Sequence, residues 1–245
     1  IRALMEAQAE WVEAKWIDSL DAYDRQTMQA QIPNISCRVQ LPNYFYIPSD
    51  LYYTYGPILS REIINKGKMA ALNEALGEYK RTGLTNLPTS EQIYSSEKYF
   101  ANERYDVIEI ADVEIGNFEL IDEGTIGSLD IVYLLQDTIG PIPAITAAVG
   151  IGGGSWKDYV DPSGNLVMTV KISGDTSADL DEIYDAYILW GDTQKRFTEV
   201  VEQYNGLIYK GSTNVWISKQ NGFVKMVLSQ DLNIIDEISS QLGDL

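Results

Sequence analysis

The chain has 245 residues, 45% hydrophobic and 22% charged, which is enough to bury a core and too apolar for a wholly disordered chain. Its net charge of −18 repels nucleic-acid phosphates and anionic membrane. With no histidine and one cysteine, Cys37, it has no imidazole catalysis, no His-ligated metal, no intrachain disulfide and no Cys-rich zinc site.

The chain opens on Ile1 in place of Met, so we expect an upstream segment that was removed, with an export signal or a membrane anchor as the candidates. Residues 1–31 contain good helix formers and neither Gly nor Pro, and they predict a helix ended by Pro33. Its apolar stripe runs Met5, Ala9, Val12, Trp16, Leu20 and Tyr23, to be laid on its own domain or on a neighbouring subunit. Trp11 and Trp16 are candidate interface residues.

The stretch PNYFYIPSDLYYTYGP, residues 42–57, holds six rings: Tyr44, Phe45, Tyr46, Tyr52, Tyr53 and Tyr55. Pro42, Pro48 and Pro57 predict a stiff, extended loop or edge strands. Tyrosine suits a surface that is apolar at one end and wet at the other, so the rings are expected to form a subunit interface, with core packing as the alternative. A second helix is predicted over 60–81, weakened by Gly67 and stopped at Gly83, with Met69, Leu72, Leu76 and Tyr79 on one face. Thr89 and Gln92 fit a capping box that opens a third helix through about Asn102.

From Asp106 the pattern turns to β. DVIEIADVEI and GNFELI predict two strands around Gly116-Asn117, with an apolar phase slip near Asp112 that suggests a bulge. SLDIVYLLQD predicts another strand. The run 139–156 is apolar, with two prolines and four closely spaced glycines, and is expected to form a close-packed or mobile loop. NLVMTVKIS is a strand, 178–204 is mainly helical with a break near Gly191, and LIYKG, NVWISKQ and FVKMVLS form a meander with a tight turn at Asn221-Gly222. LNIIDEISSQL closes as an amphipathic helix. The class is α+β: an N-terminal helical region, then a mostly antiparallel sheet with packed helices, β-α-β-β-β-α at the end. The expected division is 1–104, helix-rich with thirteen acids against eleven bases, and 105–245, an acidic α+β domain with twenty-three against seven; one continuous domain is the alternative.

No motif names a reaction. VGIGGGSWK lacks the P-loop spacing, the apolar run there is too short to span a bilayer, and Asp137-Thr138-Ile139 misses the glycine of an aspartic-protease triplet. Asp175, Asp179 and Asp181 are a candidate Ca²⁺ site whose plainer role is the start of a helix. Asp158 and Asp161 flank a DPSG turn. Glu109, Asp112, Glu114 and Glu119 offer carboxylates with nothing to select a catalytic pair, and edge protection is their plainer role. Asn34-Ile35-Ser36 is a glycosylation acceptor pattern. These absences lead us to expect a non-enzymatic structural or assembly subunit of a virion, appendage or cell-envelope complex, extracellular or cell-surface, homo-oligomeric and without cofactor. Two alternatives are an extracytoplasmic glycan- or Ca²⁺-binding module and a carboxylate-dependent hydrolase.

Overall fold

The computed structural model describes residues 2–31, 46–82 and 88–243, with the side chains of 78–82 and 243 left aside. Tyr44, Phe45, Cys37, the 34–36 triplet, Pro33 and Gly83 therefore lie outside the described residues. The chain divides into two compact units, Ile1–Glu103 and Arg104–Leu245.

The first unit is helical. Helix α1 (Arg2–Ser19) and helix α2 (Ala22–Gln31) replace the single predicted helix, because the chain breaks at Leu20-Asp21 and Asp21 takes the Asp24 amide. Residues 47–55 are helical, a correction to the extended reading: helix α3 (Ile47–Asp50) runs through a π-helical turn, Leu51–Tyr55, into helix α4 (Gly56–Thr82). Pro48 sits at the opening of α3, where a missing N–H costs nothing, and Pro57 follows the π-helical turn at the start of α4. Gly67 does more than weaken α4: Gly67 and Lys68 leave helical geometry altogether and kink it. The Thr89–Gln92 capping box is present and opens helix α5 (Ser90–Tyr94), but Ser95 separates α5 from helix α6 (Ser96–Ala101). Glu91 is buried and ion-paired to Lys98 at 2.8 Å, and Lys98 also pairs with Glu103.

The second unit is a seven-stranded antiparallel sheet with helices on it, an α+β fold. Its elements are strand β1 (Glu119–Thr125), helices α7 (Ser128–Ile139) and α8 (Pro141–Val149), strands β2 (Ile151–Val160) and β3 (Leu166–Gly174), helix α9 (Ser177–Thr193), strands β4 (Glu199–Gln203), β5 (Gly206–Lys210), β6 (Asn214–Gln220) and β7 (Phe223–Ser229), and helix α10 (Leu232–Gly243). The order across the sheet is β1-β2-β3-β7-β6-β5-β4. The predicted meander and its turn are present, with Asn221 at φ 53° and Gly222 at φ 80°, the double positive φ of a type I′ hairpin. α9 packs on β2, β3, β6 and β7, while α10 packs on β6 and β7. The core cluster that includes α10 joins Val167, Ile208, Trp216 and Val227 to Ile235, Ile238 and Leu242.

Four expectations fail here. Residues 106–115 form no strand, although Ile110, Val113 and Ile115 are buried in the predicted slipped phase and 116–117 do turn. SLDIVYLLQD is helix α7, and its buried Ser128, Ile131, Val132 and Leu135 have helical spacing. The 139–156 run is no loop: Pro141 opens α8, Gly140 and Gly150 flank that helix, and Gly152, Gly153 and Gly154 lie in β2. At Gly153 a side chain would collide with the Asp106 carbonyl, so glycine admits the passing chain. The helix predicted over 178–204 stops at Thr193, and Glu199–Gln203 is an edge strand.

Candidate functional site

Among the described residues, the rings of the aromatic segment are not presented together. Tyr46 and Tyr53 are exposed. Tyr52 instead lies under the Arg2 guanidinium, 5.0 Å from the ring centre. Tyr55 packs edge-on against Tyr94 at 4.8 Å, and its phenol is pushed up by burial and then by the Asp50 charge. A helical path turns successive side chains by about 100° in place of lining them on one edge, so the segment contributes to the unit's interior and to its surface at once.

An uncovered apolar surface also lies on α1. Its buried side chains are Ala3, Leu4 and Ala7, and this face packs on α4. The predicted stripe points the other way: Met5 is 56% exposed, and Val12 and Trp16 are each 53% exposed. Met5, Gln8, Ala9, Val12, Glu13 and Trp16 line a shallow groove of about 530 Å³. Trp11 is half-buried, with the Lys15 ammonium 5.9 Å from its ring. Beyond Ala7 no side chain of α1 is buried, and none of α2 is.

Several of the acidic candidates are engaged in local contacts. Asp179 closes the capping box of α9 with Thr176, and Asp181 pairs with Lys219 at 2.6 Å. Asp161 organises the DPSG turn, accepting from the amides of Ser163 and Asn165 and from the Asn165 side chain, which holds its carboxyl below the usual range. Asp112 pairs with Lys157, and the hydrogen bond raises that ammonium. Asp158 and Asp122 are cross-strand partners; burial first, then the neighbouring charge, pushes Asp158 up.

Composition did not reveal the lysines of the second unit. Lys171 and Lys225 are directly opposed across β3 and β7. Lys225 is buried and donates to the Leu242 carbonyl at 2.6 Å, so the negative end of α10 receives it. Burial and then Lys171 lower its pKa. Alternation along β3 and β7 was the available signal, since Lys171 and Lys225 fall in phase with the core-facing Val167 and Val227.

Among the described residues, no helix is long and apolar enough to cross a membrane. The class these features define is an α+β chain of two units, with an exposed apolar face on a helix of the first. Beyond that class, no known protein family, curated protein or solved structure matches the chain.

Proposed function

We propose that the chain is a non-enzymatic assembly subunit of a virion, appendage or cell-envelope type of complex, held by protein contacts from its helical unit. One observation carries this reading: α1 faces outward with its apolar stripe, and past Ala7 neither α1 nor α2 buries a side chain. Isolated helices of such length are marginal in water, since most helical stability comes from packing an apolar face. A free chain gains nothing from exposing Val12 and Trp16, whereas a subunit covers them. The exposed Tyr46 and Tyr53 extend the material for contact, in place of the whole ring segment. The test is sedimentation of the protein from its native source, wild type against a Trp16→Glu replacement. Wild type should sediment well above its own 27.5 kDa and the replacement should shift towards the free chain. Both sedimenting as the same monomer would remove the reading.

A further inference from the structure

We infer that the α1 groove receives an amphipathic helix of a partner protein, apolar on one face and bordered by Lys or Arg. The inference rests on the assembly reading and adds the partner's chemistry. The apolar floor is Met5, Ala9, Val12 and Trp16, spaced by four, three and four residues, the spacing that accepts the ridge of another helix. From Met5 to Trp16 it is about 17 Å long at 1.5 Å per residue, room for three turns of a partner helix.

The border selects the sign of the partner. Glu13 is the one charged residue of the lining, and among the described residues no basic side chain pairs with it. Lys15, its neighbour two positions on, lies over Trp11 and pairs with Asp18 at 3.9 Å, and is not part of the lining. Glu6 is already paired with Arg2 at 3.4 Å. An apolar strip edged by an uncompensated carboxylate favours a basic border opposite, which steers encounter and fixes register. A second copy suits the groove less well. It would set the same Glu13 carboxylate at the border of the contact, with no basic residue of the lining to answer it.

The experiment titrates the purified chain, at about 0.15 M salt, where charges are screened beyond about 8 Å. The probes are a synthetic amphipathic helix of about 18 residues with leucines at i, i+3, i+4 and i+7 and lysines at the borders, and its glutamate-bordered twin. Calorimetry should show one lysine-bordered peptide per chain and no uptake of the twin. Val12→Asp should weaken binding by about tenfold or more, and Glu13→Lys should reverse the preference between the peptides. Where Val12→Asp does not fold, as judged by circular dichroism, Ala9→Gln makes the same test. Equal binding by wild type and the groove variants, indifference to border charge, or no binding overturns the proposal. So does sedimentation of the free chain as a dimer that Val12→Asp separates, which would give the groove to a second copy. If the native particle responds to Trp16→Glu while neither peptide binds, the assembly reading stands and the partner chemistry falls.

Discussion

At Asp158 the sheet sets two carboxylates against each other, since register with β1 places Asp122 opposite. Burial and that neighbour raise the folded pKa above the ordinary 3.8. The folded state therefore holds its proton to higher pH than the unfolded chain does, and the linked stability is fully present below 3.8 and is lost as pH rises through the folded value. Asp158→Asn should raise neutral-pH stability by up to about 1 kcal/mol, read from urea midpoints, with the gain shrinking towards pH 3. A loss at neutral pH would mean the carboxylate makes a favourable contact. Local hydrogen bonding made some residues legible in advance: Thr89 with Gln92, and Asn221-Gly222, act within a few positions of themselves. The Lys171–Lys225 opposition was not legible, because partners 54 positions apart meet only through strand register.

Helix α4 shows an element interrupted by one dipeptide. Gly67 takes φ −136° and Lys68 takes φ 58°, ψ −166°, a region that suits glycine and costs a side-chain-bearing residue about 1–3 kcal/mol. Lys68→Gly should therefore raise the urea midpoint, and an unchanged or lower midpoint would show that the kink is not strained. The misread α7 has the same lesson at the level of pattern. Ile131, Val132 and Tyr133 favour strands by type, yet burial at 128, 131, 132 and 135 follows helical period, and packing against α8 and α9 outweighs propensity. Residues 106–115 fail in the opposite sense. They alternate as a strand should and bury Ile110, Val113 and Ile115, but their backbone joins no ladder.

For the whole molecule, the second unit carries its own sheet, helices on it and a core cluster confined to residues 113–242. A fragment of residues 104–245 should unfold cooperatively by urea with its tertiary circular dichroism intact. A broad, non-cooperative transition would show that the sheet depends on residues 1–103. The charge also divides with the units: the second carries twenty-three acids against eight bases, so raising salt should stabilise the fragment by screening self-repulsion.

The amino-acid sequence by itself determined the class, a helix-rich first region, an acidic α+β second region, the meander from Leu207 to Ser229 and the exclusion of imidazole chemistry. These depend on composition and on contacts between near neighbours. Tertiary structure alone decided which face of α1 is covered, that residues 47–55 coil into a helix, and that Gly153 stands under a crossing chain. An apolar stripe is the same stripe whether it meets its own domain or another protein, and only the position of α4 against Leu4 and Ala7 tells the two apart.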